Sequence, residues 1–575
     1  MQEKIRELLA PAVAEIAGDA AVVVLPEIAV ELTKREEHGD FTSNVAMALA
    51  GKVGRRPREI AEAIRARVGD GGGLFEAVEV AGPGFLNFRV ASSAWRAALG
   101  EVLARGADWG RGAPRPHPRV LLEHPSPNPT GPLHVGHGRI AAVGDSLARV
   151  MRFAGWDVTT ECYVNDHGSK IRAFAASIVA RAAGKEPPEG GYRGEYVAGI
   201  AESAGRAGVP MDDLSRVGEF AIAAMIDDIR GVLGRFRVTL DGWAHEKELY
   251  ARGDVARAVD TLRAGGWIEE REGAVFFRST ELGDDDKDRV VVRRTGEPTY
   301  FAADIAYHRD KLDRGYDLLI DVLGADHHGH LARMRGAMRA LGQNPSAFEA
   351  VLVQIVTLLR AGQAVAMDKS SGQFVTLAEV IDEVGADAAR FFFLMRRHDG
   401  ALDFDLDLAK KQSLENPVYY VQYGHARCAS ILRRAAELGF EVPPWSDATL
   451  ARLELAEELA VVRRLADFPK VVAGAAEARE PHRVVTYVHE LAQAFQSYYT
   501  RLQKVHGDPI LPQRRDREGE SDWRARWDER KTGARLLWVT AVKTVLETGL
   551  GLVGVEAPDR MTRPVSPAQE EEEDA

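Results

Sequence analysis

The sequence predicts an α/β protein with a parallel-sheet core, a small α+β domain before it and an all-α domain after it. Apolar runs at 120–122, 158–164, 316–323 and 351–359 alternate with helical patterns, which is typical of a parallel sheet. Before this region, the chain combines amphipathic helices with short strand-like runs. From about residue 408, apolar and aromatic residues recur at the spacing of helices.

Composition excludes several classes of protein. The 575 residues suffice for roughly two to five domains, and 45% hydrophobic with 28% charged residues is ordinary for a globular chain. The net charge of −12 disfavours a bulk cationic nucleic-acid binder but allows a local basic patch. Cys162 and Cys428 lie too far apart for a CxxC zinc site, so a reducing compartment is expected. With neither a signal peptide nor an apolar run of ~20 residues, a cytoplasmic protein without membrane association is predicted.

The first predicted domain, residues 1–111, contains strand-like runs at 21–25 and 84–90. Between them, the stretch 52–67 has a net charge of +4, with six basic residues and two acidic ones. Such a stretch is either a solvated helix face or a surface that contacts phosphates, and the sequence leaves both interpretations open. The Pro-rich segment 112–118 is predicted to be a stiff linker.

The central domain is predicted to span 118–400, with a helix-rich insertion near 180–250. The helical domain is expected over 408–562. The remaining residues, 563–575, include the acidic run 570–574 and are predicted to be a disordered tail.

The strongest chemical motif lies in residues 123–138, where an apolar strand leads into a Pro/Gly-rich loop that opens a helix. The helix begins with His134-Val135-Gly136-His137. Its N-terminal amides and dipole attract phosphate oxygens, two imidazoles can donate hydrogen bonds to them, and Gly136 leaves room for an adenine. The motif therefore indicates an ATP site, although one such match is only moderately specific.

Other motif-like stretches do not indicate sites. The adjacent histidines within 327–330 lack a third partner at metal-ligand spacing, so no metal site is predicted. The GxGxxG run at 549–554 follows a helix and opens no βαβ unit, so it fails as a dinucleotide site. No P-loop is present, and His245-Glu246 lacks the second histidine of a zinc-protease motif.

Residues 126–137, Ser-Pro-Asn-Pro-Thr-Gly-Pro-Leu-His-Val-Gly-His, resemble the signature of class I aminoacyl-tRNA synthetases in the form found in arginyl-tRNA synthetases. Six further stretches resemble this family in the same order along nearly the whole chain: 81–88, 163–168, 298–308, 324–329, 416–423 and 554–561. Singly these matches are weak, but seven in order are very specific.

The resemblance implies ATP-dependent ligation of L-arginine to tRNA(Arg) through an arginyl-adenylate, with release of pyrophosphate and AMP, in translation. It implies a Rossmann-like catalytic core, an N-terminal tRNA-contacting domain and a C-terminal anticodon-binding domain. Mg²⁺ is expected to accompany ATP, and the enzyme is expected to be a monomer. The catalytic positions are His134, His137 and Lys369; the ATP-binding positions are His134, Gly136, His137, Asp326, Met367 and Lys369; the arginine-binding positions are Glu123, Asn128, Tyr300, Asp304 and His327.

The second class I signature, KMSKS, is degenerate here. The stretch Ala366-Met367-Asp368-Lys369 keeps the second lysine and loses the first. Lys369 would neutralise the charge that develops on the phosphates as pyrophosphate leaves. Asp368 replaces the usual serine, and its carboxylate beside a triphosphate is expected to lower the efficiency of the reaction.

The implied arginine-binding residues agree with the chemistry of the substrate. A guanidinium is a planar fork of donors that matches carboxylates such as Glu123 and Asp304. Tyr300 and Asp304, four positions apart, share one helical face. Buried polar recognition of this kind can discriminate against a neutral analogue by ~10⁴–10⁵, so no proofreading domain is expected.

The tRNA is expected to contact all three domains, with its elbow at 52–67. Aromatic residues of the helical domain either stack on anticodon bases or belong to the core of the helix bundle. These residues are Tyr419, Tyr420, Tyr423, Tyr498 and Tyr499.

Three alternatives stay open. The chain could be another nucleotidyltransferase with the His-x-Gly-His motif, or a class I synthetase for a different amino acid. A protein of another class, a catalytically inactive synthetase-like RNA-binding protein, would explain Ala366 and Asp368.

Overall fold

The computed structural model describes residues 1–18, 27–33, 35–282, 285–365, 375–512 and 527–562. The predicted fold class is confirmed, since a parallel-sheet core lies between an N-terminal α+β region and a C-terminal helical region. Within the described residues, no helix is both long and apolar enough to cross a bilayer. The domain boundaries stay predictions.

The N-terminal region is an antiparallel sheet, in the order β1-β2-β4-β3, covered by helices. Its elements are α1 (Gln2–Ala17), β1 (Glu31–Leu32), β2 (Phe41–Ser43), α2 (Val45–Val53), α3 (Pro57–Val68), β3 (Phe75–Ala81), β4 (Phe85–Val90) and α4 (Ser92–Arg105). Helix α3 begins with Pro57, which is favoured in the first turn, and buries Ile60 and Ile64. The predicted strand at 84–90 is confirmed as β4, whereas the one at 21–25 lies outside the described residues.

The central region alternates strands and helices. Its elements are β5 (Arg115–Glu123), α5 (Val135–Phe153), β6 (Trp156–Val164), α6 (Ser169–Ala182), α7 (Glu195–Arg206), α8 (Leu214–Arg235), β7 (Gly242–His245), α9 (Glu246–Ala251), α10 (Asp254–Ala264), β8 (Ile268–Arg271), β9 (Ala274–Phe277), β10 (Arg289–Val292), α11 (Tyr300–Asp313), β11 (Leu318–Gly324), α12 (His328–Ala340), β12 (Phe348–Val353), β13 (Val356–Arg360), β14 (Gln363–Ala364), α13 (Leu377–Leu394), β15 (Leu402–Asp405) and α14 (Leu406–Lys410). Short 3-10 helices lie at Glu36–His38, Gly106–Asp108, Ser279–Leu282, Ala325–His327 and Pro345–Ala347.

Five of these strands form a parallel sheet in the order β12-β11-β5-β6-β7. Val120, Leu121 and Leu122 of β5 are fully buried, as expected for a strand covered by helices on both faces. From β5 the chain passes to β6 and β7 on one side and later to β11 and β12 on the other. Ligands of such sheets bind at the carboxyl ends of the strands, beside the point where the order reverses.

Three local features differ from the sequence predictions. Residues 112–118 are not a linker throughout, because β5 begins at Arg115, which pairs with Trp156. The register of this pairing shifts between Arg115 and Arg119, where the prolines supply no N–H. The apolar run 351–359 belongs to two strands, β12 and β13. The antiparallel sheet β10-β9-β8 has no counterpart among the predictions, because its strands are only four residues long.

The C-terminal region is helical. Its elements are α15 (Pro417–Glu437), α16 (Asp447–Leu450), α17 (Ala456–Ala478), α18 (His482–Lys504) and α19 (Glu529–Leu552). The GxGxxG run at 549–554 lies at the end of α19, away from any βαβ unit. Just beyond it, the Val553 carbonyl accepts a hydrogen bond from the buried Arg390, which also donates to the Phe236 carbonyl. These bonds join the end of the helical region to the core.

Candidate active site

The predicted site residues that the structure describes lie around the carboxyl ends of β5 and β11, the neighbouring strands at which the sheet order reverses. Glu123 is the last residue of β5, and Gly324 is the last residue of β11. The loop after β5 leads to helix α5, and a short turn after β11 leads to α12. Two helix N-termini therefore face the same end of the sheet, where a ligand would bind.

His134 is the N-cap of α5. Its Nδ1 accepts hydrogen bonds from the amides of Gly136 at 3.1 Å and His137 at 3.3 Å. The His137 Nδ1 accepts a long one, 3.4 Å, from the His134 amide. Because both Nδ1 atoms accept, a neutral imidazole at each position carries its proton on Nε2. Both side chains therefore present an Nε2–H donor.

Close packing of the two rings explains the glycine between them. The rings of His134 and His137 stack with centroids 3.7 Å apart and an interplanar angle of 19°. A Cβ at Gly136 would lie 3.0 Å from the His134 Cε1 atom, tighter than an ordinary contact. A side chain there would push the cap out of position. Gly136 thus keeps the His134 ring in place, in addition to leaving space at the backbone.

The segment that contains the degenerate KMSKS stretch is joined to this helix start at its C-terminal flank. Thr376 forms an antiparallel bridge with His134, and the Leu377 amide donates to the Leu133 carbonyl at 2.7 Å. Met367 and Lys369 lie outside the described residues.

Two carboxylates near this end of the sheet, the half-buried Asp304 and the buried Glu246, have shifted pKa values. Asp304 lies one turn after Tyr300, the first residue of α11, and Glu246 follows directly after β7 and is 2% exposed. Burial raises the pKa of Asp304 to about 7 and that of Glu246 to about 7. The charge of Asp304 contributes to the shift at Glu246, so the two groups lie within electrostatic range. Among the described residues, no cation forms an ion pair with either carboxylate.

Glu123 is engaged by other residues of the chain. Its Oε2 accepts a hydrogen bond from the Lys311 ammonium at 2.6 Å, and its Oε1 accepts one from the Ser126 hydroxyl at 2.6 Å. The same ammonium donates to Asp321 at 3.0 Å, and His308 Nε2 lies 2.9 Å from the other Asp321 oxygen. Burial raises the pKa of Glu123, although Lys311 opposes the shift. Burial lowers the pKa of Lys311, but the two carboxylates outweigh this and raise it overall.

Asn128 and Tyr300 meet at the rim of the cleft through a third residue. The Lys170 ammonium lies 3.5 Å from the Asn128 amide oxygen and 5.5 Å from the centroid of the Tyr300 ring. This ammonium also attracts Glu246 electrostatically. The tertiary structure therefore brings these two predicted residues close to one cation.

Asp326 and His327 lie in the turn after β11, on the open side of the cleft. Their side chains are 84% and 55% exposed, with Asp326 Oδ2 3.8 Å from His327 Nε2. No hydrogen bond or ion pair within the described residues connects either side chain to Tyr300 or Asp304. In the described part of the chain, no group of three or more His, Cys, Asp or Glu side chains could hold a metal ion.

Two residues of the cleft are absent from the sequence predictions. In the sequence, Glu246 is noted only as part of the His245-Glu246 pair, an incomplete zinc-protease motif. Lys311 belongs to no motif that the sequence analysis identifies. The signals that could have identified them are positional. Glu246 follows a strand of the parallel sheet, and Lys311 lies seven residues after Asp304, on the same face of α11.

The five tyrosines named in the helical region differ in burial. Tyr419 and Tyr498 are buried, and their hydroxyls donate to the Thr562 carbonyl and to Glu458. Tyr420, Tyr423 and Tyr499 are half-buried, and the Arg427 guanidinium lies 4.7 Å and 4.9 Å from the ring centroids of the last two. The first two belong to the core of the bundle, and the other three reach its surface.

Comparison with protein families gives three matches in order along the chain. The arginyl tRNA synthetase N terminal domain matches residues 3–90, and the catalytic domain of class I (R) tRNA synthetases matches residues 99–186. The DALR anticodon binding domain matches residues 421–561.

Comparison with individual proteins agrees with these family matches. An arginine–tRNA ligase of Syntrophotalea carbinolica is 46% identical over 552 residues, which cover 93% of this chain and 95% of the relative. One from Moorella thermoacetica is 44% identical over 564 residues, covering 96% and 97%. The solved structure of Thermus thermophilus arginyl-tRNA synthetase has the same fold, with a TM-score of 0.73 at 24% identity over 98% of this chain and 100% of that chain.

Proposed function

The chain belongs to the arginyl-tRNA synthetase family, and we propose that its reaction takes place in the cleft between the ends of β5 and β11. The protein ligates L-arginine to tRNA(Arg) in two steps, with ATP as a substrate. The arginine carboxylate attacks the α-phosphorus of ATP, which expels pyrophosphate and forms arginyl-adenylate. A ribose hydroxyl at the tRNA terminus then attacks the acyl carbonyl and expels AMP.

The start of α5 is the nucleotide end of the proposed site. His134 and His137 would donate from Nε2 to the phosphates, and the positive end of the helix dipole would add to the attraction. Gly136 would hold the His134 ring in place and let the adenine approach the backbone. Asp326, an exposed acceptor after β11, suits the ribose hydroxyls of ATP.

Met367 and Lys369 are proposed to bind ATP because they match the second class I signature. The bridge between Thr376 and His134 supports a location beside the nucleotide, because it anchors the flank of this segment at the start of α5. Lys369 would supply the positive charge that stabilises departing pyrophosphate.

The half-buried Asp304 and the buried Glu246 support the assignment of the arginine-binding end of the site. Asp304 and Glu246 have pKa values raised to about 7 and no ion-pair partner among the described residues. A guanidinium placed against them would satisfy both charges with paired N–H···O bonds. Asn128, Tyr300 and His327 would line the rest of the arginine site. Glu123 lines its floor, with its carboxylate already bonded to Lys311.

Two surfaces support binding of tRNA. Arg56 and Arg58 at the start of α3 have side chains that are 87% and 58% exposed, which suits contacts with phosphates. In the helical region, the half-buried rings of Tyr423 and Tyr499 on either side of Arg427 offer flat faces on which unpaired bases could stack.

Mg²⁺ is proposed to enter bound to the phosphates of ATP, since the described residues offer no metal-binding cluster of their own. A monomer in the cytoplasm is proposed as well. The buried cysteines Cys162 and Cys428 form no disulfide, which suits a reducing compartment.

Exchange of labelled pyrophosphate into ATP tests the function, with and without arginine and arginine tRNA. Exchange that requires both is expected, and citrulline in place of arginine should give none. No exchange under any condition, with tRNA still bound, would favour the inactive RNA-binding alternative. Asp368→Ser should raise the exchange rate of an active enzyme and would leave an inactive protein inactive.

A further inference from the structure

A lysine outside the predicted site residues lies at the centre of the amino-acid half of the cleft. The Lys311 side chain is 0% exposed, and its ammonium bonds to both Glu123 and Asp321. Lysine is almost never fully buried unless its charge is paired. Burying such a set of charges is often no more stabilising than apolar packing, so stability alone does not explain it.

The surroundings of Lys311 fix the position of its charge. The ammonium lies 4.2 Å from the centroid of the Tyr307 ring. The Tyr307 hydroxyl donates to Glu161, and both oxygens of Glu161 also accept hydrogen bonds from Arg314. Glu161 therefore has its own cation and does not draw Lys311 away from the cleft.

Four carboxylates in this half of the cleft divide into two pairs. Glu123 and Asp321 share the Lys311 ammonium. Asp304 and Glu246 have no ion pair among the described residues. The chain thus places a cation in direct contact with the first pair, whereas the second pair has Lys170 nearby but no contacting cation among the described residues.

On the basis of the arginine site proposed above, we propose that Lys311 is a positioning residue: it neutralises Glu123 and Asp321, so that the substrate guanidinium binds Asp304 and Glu246. Without this ammonium, four carboxylates would compete for one guanidinium. The cationic end of arginine would then bind in more than one place, and its carboxylate would no longer be held at the correct distance from the ATP phosphate.

Lys311→Met tests the proposal in tRNA-dependent pyrophosphate exchange. We expect kcat/KM for arginine to fall by about 10²–10³-fold, mainly through KM, with little change in the KM of ATP. A folded variant with the arginine KM of the wild type would overturn the proposal.

The pH profile of kcat/KM for arginine distinguishes an electrostatic role of Lys311 from a packing role, because a loss of packing would not shift the profile. The charged and titratable groups near Asp304 are Lys311 and His308 on its own helix, Glu123, Asp321 and Tyr163 on the sheet, and Glu246 and Tyr250 on α9. The charge of Lys311 lowers the pKa of Asp304. Its removal should shift the acid limb of the profile to higher pH, and an unshifted limb would contradict the proposed role.

Chemical rescue separates the charge of Lys311 from its volume. In Lys311→Ala, propylammonium should raise the exchange rate about tenfold and with saturation, because it returns an ammonium to the vacated site. Propanol, which has a similar size and no charge, should not. Equal rescue by both molecules would show that only the volume matters.

Arg390→Met is the matched control, since it removes another fully buried cation, one paired with Asp145. It should lower Tm without shifting the acid limb.

If Lys311→Met does not fold, the double variant Lys311→Met/Glu123→Gln removes one charge of each sign. The pH profile of kcat/KM for arginine is then measured on that variant. Wild-type protein without arginine-dependent exchange would refute the proposed function, whereas active wild type with an unaltered Lys311→Met variant would refute only this inference.

Discussion

The two halves of the proposed cleft differ in how far apart in the sequence their interacting groups lie. In the nucleotide half, His134 and His137 are held by hydrogen bonds that span two or three residues. In the amino-acid half, the bond between Lys311 and Glu123 spans 188 positions. One half is a local motif, and the other is assembled from strands and helices that meet only in the folded chain.

The halves also differ in what would bind the substrate. The proposed nucleotide half offers backbone dipoles and imidazole N–H donors at a half-exposed helix end, where several donors could share one anion. The amino-acid half relies on buried charges, and an uncompensated charge in a low-dielectric interior is expensive. Changes of charge in the amino-acid half should therefore cost more activity than the loss of one donor in the nucleotide half.

The largest effect is expected for Asp304→Asn. Removing one of the two carboxylates offered to the guanidinium should lower kcat/KM for arginine by about 10³-fold in pyrophosphate exchange. Asp313→Asn, an exposed acid at the end of the same helix, is the control and should behave like wild type. A loss of less than tenfold for Asp304→Asn would mean that the guanidinium binds elsewhere.

His137→Ala should have the next largest effect. The loss of one Nε2–H donor to the phosphates should lower kcat by about 10²-fold and leave the KM of arginine nearly unchanged. His117→Ala, an exposed histidine at the opposite end of β5, should have no effect. If His137→Ala instead raises the KM of arginine, the division of the cleft into two halves is wrong.

Arginine binding should weaken in acid. Because the pKa values of Asp304 and Glu246 are raised to about 7, both carboxyls lose charge as the pH falls through 7, whereas the guanidinium stays charged. The KM of arginine should therefore be higher at pH 6 than at pH 8 by about tenfold for each carboxyl that must be charged, while the KM of ATP changes less. A flat profile would show that the carboxyls titrate well below 6 in the working enzyme.

The smallest effect is expected on the tRNA surface. Arg56→Ala/Arg58→Ala should raise the KM of tRNA by about two- to fivefold and reduce the slope of binding against log salt by ~2. Glu62→Gln, which releases Arg58 from a 3.3 Å ion pair on the same helix, should act in the opposite direction. If neither variant alters tRNA binding, the basic stretch is only a solvated helix face.

The nucleotide half is the more predictable one because its geometry is encoded locally. The strand before residue 123, the loop and the helix start at His134 are adjacent in the chain, and the structure has them as predicted. Asp304 and Tyr300 are predicted to bind arginine from a resemblance to the family, but their spacing alone does not show that Asp304 is half-buried and Tyr300 exposed. The pairing of Glu123 with Lys311 could not be predicted, since it depends on how α11 packs on the sheet.

The amino-acid sequence alone established the family, the α/β class, the helix start that suits ATP and most of the candidate residues, because these depend on order and local spacing. Packing in three dimensions determined which charges neutralise each other. A carboxylate in a low-dielectric interior is costly unless a cation pairs with it. Which cation is close enough depends on how helices and strands that are distant in the sequence pack together. That packing leaves Asp304 and Glu246 without an ion-pair partner among the described residues.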